Sequence, residues 1–96
     1  MKPLVSVIVP VWNGAAYLDA ALQSVWRQGV ADLQLIVVDD GSTDDTADLI
    51  ASYGTAVTPI YQPNKGPAAA RNVGLQLATG KFVAFLDTDD VWVDGR

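Results

Sequence analysis

An unbroken apolar run, Phe82-Val83-Ala84-Phe85-Leu86, follows Gly80-Lys81 and ends abruptly in Asp87-Thr88-Asp89-Asp90. A short run of this kind reads as a strand buried on both faces of a sheet. Unpaired carboxylates inside a core are strongly disfavoured. The acidic residues must therefore sit where the strand emerges, at its C-terminal end. That end is where ligands bind in open α/β sheets. Clustered carboxylates repel one another unless they share a cation or a proton. Hard oxygen donors of this type suit Mg2+ or Mn2+. The plainer alternative is an acidic turn solvated by water.

The rest of the chain supplies a sheet for that strand to join. Residues 4–10 are rich in β-branched side chains and read as a first strand, with Pro10 expected to end it. The loop Val11-Trp12-Asn13-Gly14 follows, with Trp12 able to pack over the sheet edge or to stack on a ligand ring. From Ala15 a helical period takes over, with Leu18, Ala21, Leu22, Val25 and Trp26 on one stripe and Gly29 as a stop. Residues 33–38 read as a second strand running into Asp39-Asp40-Gly41-Ser42-Thr43-Asp44-Asp45. Ser42 or Thr43 is expected to cap the next helix, and Ser42 with Asp45 has capping-box spacing. Asp44 and Asp45 suit a helix first turn and read as structural. Asp39 and Asp40 instead lie at a strand end, like Asp87 and Asp89.

A helix over residues 45–53 is expected to bury Ala47, Ile50 and Ala51. A weaker strand over 57–62 contains Pro59, which predicts an edge position. After the turn-rich Pro63-Asn64-Lys65-Gly66-Pro67, a third helix over 68–78 carries the narrow stripe Ala70, Val73, Gly74 and Leu77. Its small residues predict close approach to the sheet. Strands and helices thus alternate with short links. That pattern implies an α/β, Rossmann-like three-layer sandwich, with a mostly parallel sheet and helices on both faces. The expected strand order is 3-2-1-4. The loops at 10–14, 39–42 and 87–90 then share one rim, where two acidic clusters and an aromatic loop converge.

Ninety-six residues make one small domain, and 50% hydrophobic content suffices for its core. A net charge of −5 argues against nucleic-acid binding or anionic-membrane binding through bulk charge. The chain has neither cysteine nor histidine, so disulfides, common zinc sites and histidine triads are excluded. No apolar run approaches the length of a membrane span, and the first residues lack a signal-peptide pattern. A cytoplasmic location, or the cytoplasmic face of a membrane, is the expectation. The loop after the first strand lacks the glycines of a dinucleotide fingerprint, and no P-loop is present. A phosphoacceptor receiver site fits poorly, because the acids follow strands 2 and 4. A metal-assisted site for a nucleotide diphosphate fits best.

The stretches Val5-Ser6-Val7-Ile8-Val9-Pro10-Val11-Trp12-Asn13-Gly14, Ile36-Val37-Val38-Asp39-Asp40-Gly41-Ser42-Thr43-Asp44, Ala70-Arg71-Asn72-Val73-Gly74 with Asn64-Lys65-Gly66 before it, and Phe85-Leu86-Asp87-Thr88-Asp89-Asp90 resemble the family 2 glycosyltransferases of GT-A fold. Each motif alone is weak, but their order and spacing are specific. The resemblance implies the N-terminal half of a GT-A fold, with residues 1–96 as the nucleotide-sugar-binding part, cut after the D-x-D motif. It implies that Pro10, Val11 and Trp12 line a base pocket. Asp40, with Asp39 as the second candidate, would hydrogen-bond the base, often uracil. Lys65 and Arg71 would face the diphosphate, although Arg71 could equally form a structural ion pair. Asp87, Thr88 and Asp89 match the D-x-D motif, with Asp89, Asp87 and Asp90 as candidate ligands of Mn2+ or Mg2+.

The implied reaction is sugar transfer from a nucleotide diphosphate sugar, UDP-sugar favoured, to a hydroxyl of a glycan, lipid or other acceptor, with inversion. Its general base is expected beyond Arg96, so the chain itself is expected to bind donor without transferring sugar. The alternative from another class is a non-catalytic nucleotide- or metal-binding module. An uncovered outer edge on the fourth strand would also invite self-association.

Overall fold

A computed structural model of the chain describes residues 3–88. Strands β1 (Val5–Val11), β2 (Leu33–Asp40), β3 (Thr58–Gln62) and β4 (Phe82–Phe85) form one sheet in the order β3-β2-β1-β4. All its pairings are parallel. Helices α1 (Ala15–Trp26), α2 (Thr46–Ser52) and α3 (Pro67–Leu77) connect them. Because successive side chains on a strand point to opposite faces, each buried strand feeds two cores. Val7, Val9, Val11, Leu35 and Val37 pack with Leu18, Ala21, Leu22, Val25 and Ile50 from α1 and α2. Ile8, Ile36 and Val38 face the other way and meet Ala70 of α3. The connections from β1 through β2 to β3 run one way across the sheet, and that from β3 to β4 runs back. Crossovers of a single hand then place α3 opposite α1 and α2. Each fully buried Leu or Ile contributes about 1.5–3 kcal/mol, so these two clusters are the main source of stability.

The expected stripes hold, with local shifts. Gly74 of α3 sits over Ile8, where an added Cβ would lie 2.5 Å from Ile8 Cγ2. This is the close helix–sheet approach anticipated from the small residues. Leu77, expected on that stripe, is instead 46% exposed. In α2 the buried pair is Thr46 and Ile50, and Ala51 is exposed, because the helix begins at Thr46 and its inward face is set from there. Tyr53, just past α2, donates from its hydroxyl to Asp19 Oδ1 (2.7 Å) and meets the Trp26 ring edge-on at 5.6 Å. These contacts clamp α2 to α1. Burial, followed by the Asp19 carboxylate, raises the Tyr53 pKa far above the ordinary phenol value.

Three strand readings are corrected. Pro10 does not end β1, which continues to Val11. Ile8 accepts from Leu86 N–H, so its carbonyl faces β4, and Pro10, two residues on, faces the same way. The β1–β4 ladder stops at Ile8 and Phe85, so no donor is missed at Pro10. β2 runs on to Asp40, and Asp39 and Asp40 are strand residues only 4% exposed. β4 is not buried on both faces: Phe82, Val83 and Phe85 are 57%, 41% and 44% exposed, and only Leu86 beyond the strand is buried. As the last strand in the order, β4 has a neighbour on one side alone among the described residues. Pro59 lies in the opposite edge strand, as its missing N–H predicted. No helix among the described residues is long and apolar enough to cross a membrane.

Candidate functional site

The C-terminal ends of β1, β2 and β4 meet at one rim, because parallel strands all point the same way. Pro10, Val11, Trp12, Asp40, Pro67, Ala70 and Asp87 line a cleft of about 230 Å³ there. A second recess of about 280 Å³ adjoins it and shares Trp12, Asp40 and Pro67. The Trp12 ring is 57% exposed. An exposed indole on a cleft wall offers a flat apolar face to a ligand ring.

Asp40 is held by the β3–α3 loop. Its Oδ1 accepts from Gln62 Nε2 (2.8 Å) and from the Lys65 N–H (2.8 Å), and its Oδ2 accepts from the Gly66 N–H (2.9 Å). Its backbone carbonyl accepts from Asn64 Nδ2 (3.0 Å). Burial pushes the Asp40 carboxyl up, but the Gln62, Lys65 and Gly66 donors outweigh it and hold its pKa below 3.8. Asp39 points to the α1–α2 face. It accepts at Oδ1 from Ser42 N–H (3.0 Å); its second oxygen takes no donor among the described residues and is open to solvent, since no buried side-chain oxygen there lacks a partner.

At the β4 end, Asp87 Oδ1 is 2.9 Å from Arg71 Nη2, a half-exposed ion pair across the cleft mouth. Thr88 donates from Oγ1 to the Pro10 carbonyl (2.7 Å), which carries the pairing of β1 and β4 one step past the ladder. Lys65 has an exposed side chain, and only its backbone joins the cleft's support. Thus the structure gathers Pro10, Val11, Trp12, Asp40 and Asp87 on one cleft, with Arg71 and Thr88 bracing it. Asp39 and Lys65 line neither recess. Asp89 and Asp90 lie outside the described residues. Among the described residues there is no group of three or more metal-ligating side chains. Asp87 presents one carboxylate at the cleft, a donor type that suits a hard divalent cation.

The β2–α2 loop departs from its expected capping. Ser42 Oγ accepts from Asn13 N–H (2.9 Å) rather than capping α2. Asp44 does the capping work: its Oδ1 accepts from the Thr46 N–H (2.9 Å) and from the Thr46 hydroxyl. Its Oδ2 accepts from the Ala15 N–H at 3.4 Å. The Thr46 hydroxyl leads in lowering the Asp44 pKa below 3.8, against opposing burial and with help from backbone N–H groups.

Both lowered carboxylates bind protons more weakly in the folded chain than in the unfolded one. Their stabilisation is therefore complete above the ordinary aspartate value and is lost as pH falls through the lower folded values. Thermal midpoints should hold from neutrality to about pH 4 and fall below it, and Asp44→Asn should flatten part of that fall. Melting curves across that range would refute this if the acid limb were the same in the variant.

Sequence reasoning missed Asn13, Gln62 and Pro67. The Asn-Gly pair was a turn signal that could have marked Asn13 for a left-handed conformation, and Asn13 has φ 48°. No local pattern marks Gln62.

The model of glycosyl transferase family 2 matches residues 6–96. An uncharacterised glycosyltransferase of Nostoc is 45% identical over a 92-residue alignment that covers 92% of this chain and 29% of the relative. Residues 1–349 of the Staphylococcus aureus protein TarS, in a crystal structure with UDP, are 35% identical with a TM-score of 0.85, covering 98% of this chain and 29% of that segment. The mannosyltransferase PcManGT of Pyrobaculum calidifontis, solved with GDP-Man and Mn2+, is 31% identical with a TM-score of 0.85, covering 96% of this chain and 29% of that one. The chain therefore spans only part of the curated relatives it matches, from 14% to 38% of their length. The match across nearly the whole chain, the sheet order and the shared GT-A architecture lead to one assignment: the chain belongs to glycosyl transferase family 2.

Proposed function

We propose that the rim cleft is the donor site of a metal-assisted, inverting glycosyltransferase, and that it takes a nucleotide diphosphate sugar. The observation that carries this reading is the cleft itself, with the exposed Trp12 on one wall and the Asp87 carboxylate on another. The nucleotide complexes of TarS and PcManGT support it. The base lies against Trp12, Pro10 and Val11. Asp40, which lines both recesses beside Trp12, is the acceptor for a base N–H. Asp40 also fixes the loop that carries Pro67. Arg71 and Lys65 supply positive charge toward the diphosphate.

Asp87, with Asp89 and Asp90 of the same run, would hold Mn2+ or Mg2+, and a cation there offsets charge building on the diphosphate leaving group. The chain alone binds donor without transferring sugar. In support, neither cleft-lining carboxylate among the described residues is free to act as a base. Asp40 has both oxygens engaged, and Asp87 is paired with Arg71. Transfer to an acceptor hydroxyl belongs to the whole protein.

Calorimetric titration with UDP, GDP and dTDP, each with Mn2+ and with chelator, tests the reading. Metal-dependent binding of one diphosphate is expected. Trp12→Ala should weaken it roughly three- to tenfold, the loss of one aromatic contact. Absence of binding to all three by the folded chain would overturn the donor-site reading.

The free edge of β4 extends the proposal to weak self-association. Phe82 N–H and Leu86 N–H point to β1, so Val83 and Phe85 turn their backbone groups outward beside exposed side chains. Sedimentation velocity should show the average mass rising with concentration, and a monomer throughout would remove this part.

A further inference from the structure

We propose that Asn13 is a positioning residue that sets the Trp12 ring on the cleft by tying the β1–α1 loop to the β2–α2 loop. The inference rests on the donor-site reading for its functional meaning and on geometry for its substance. Asn13 Oδ1 accepts from Thr43 N–H (2.7 Å), from Asp44 N–H (3.3 Å) and from Thr43 Oγ1 (3.3 Å). Its own N–H donates to Ser42 Oγ, and Ser42 N–H donates to Asp39 Oδ1. The next two residues continue the seam, with Gly14 N–H on Thr46 Oγ1 (3.2 Å) and Ala15 N–H on Asp44 Oδ2.

Trp12 thus stands between a strand residue, Val11, and a residue whose backbone and side chain are both anchored to another loop. An exposed aromatic ring with few neighbours is held in place mainly by its backbone. That backbone turns through a left-handed conformation at Asn13, which Asn and Asp tolerate better than other non-glycine residues. One side chain thereby meets two requirements: it accepts the loop donors, and it allows the turn that presents the ring. The same chain of bonds reaches the Asp39 carboxylate, which ties the loop that carries Trp12 to the end of β2. The role differs from binding, since Asn13 lines neither recess.

Substitutions at Asn13 separate the two requirements. Asn13→Gly keeps the turn and removes the acceptor, whereas Asn13→Asp keeps both. The readouts are 15N relaxation of the Trp12 indole N–H and titration with UDP and Mn2+. In Asn13→Gly the indole should gain fast motion, and UDP–Mn2+ affinity should fall about threefold, no more than on loss of the ring itself; in Asn13→Asp both should stay near the unsubstituted chain. In a Trp12→Ala background, Asn13→Gly should cost no further affinity, an outcome that a general loss of stability would not produce.

An indole equally rigid in Asn13→Gly would overturn the proposal, as would an equal affinity loss with Trp12 absent. Should Asn13→Gly fail to fold, Ser42→Ala removes the acceptor of the Asn13 N–H and must loosen the indole for the proposal to stand. Failure of the unsubstituted chain to bind UDP would defeat the donor-site reading instead. The indole relaxation would still decide whether Asn13 positions Trp12.

Discussion

Asp40→Asn is expected to destabilise the chain by roughly 2–4 kcal/mol, read as a lower urea midpoint with an unchanged slope. The buried carboxylate accepts donors at both oxygens: Gln62 and Lys65 at one, Gly66 at the other. An amide of the same shape accepts at only one end. Its NH2 group must then face either the Gly66 N–H or the Lys65 N–H, donor against donor. Hydrogen bonds to a charged acceptor are worth about 1.5–3 kcal/mol each, and an orphaned buried donor costs about 1–3. The terms overlap, so they do not simply add. Asp39→Asn is the internal comparison, because Asp39 is equally buried but accepts one backbone donor. It should lose about 1 kcal/mol. Equal effects at the two positions would show that burial of the carboxylate, rather than its use as a loop anchor, governs the cost. The functional corollary is that Asp40→Asn should also weaken nucleotide binding, since the loop it holds leads into Pro67 on the cleft wall.

Gly41→Ala should cost about as much, roughly 2–4 kcal/mol, for two separable reasons. Gly41 has φ +74°, and an added Cβ would lie 2.6 Å from the Asn64 backbone nitrogen. The left-handed conformation costs a non-glycine residue about 1–2 kcal/mol. The overlap adds about 1–3 kcal/mol, because the obstacle is backbone pinned by Asp40 and cannot rotate away. Gly29→Ala isolates the first term: it has φ +72° with nothing within 4 Å of an added Cβ. The difference between the two variants in denaturation midpoint measures the contact of the β2–α2 and β3–α3 loops. If Gly41→Ala were no worse than Gly29→Ala, that contact would carry no weight. Combining Gly41→Ala with Asp40→Asn should give less than the sum, since both act on the loop at Asn64.

Much of the architecture was legible in the sequence. Apolar runs alternating with helical stripes, joined by short links, leave a parallel sheet as the consistent solution. Pro59 marked an edge, and Ala70 with Gly74 marked a close helix. The gathering of Trp12, Asp40 and Asp87 on one rim also followed, because parallel strands deliver their C-terminal ends to the same side. Other readings failed where a residue's role depends on its neighbour across the sheet. Pro10 was expected to end β1, but its tolerance depended on β4 stopping two residues earlier. Ser42 looked like a helix cap, but a loop from another strand reached it first.

The sequence by itself therefore determined the order and type of the helices and strands, the buried stripe of α1 and the rim that carries the acidic ends. These follow from periodicity, which is a local property of the chain. The tertiary structure alone decided which carboxylate braces a loop, which keeps an open oxygen and which pairs with arginine. It also decided that Asn13 ties two loops together and that β4 leaves its side chains exposed. Hydrogen bonds between segments about 25–31 residues apart, as at Asp40 and Asn13, depend on loop placement in space. No periodicity encodes that placement, because it is set by the packing of whole elements on one another.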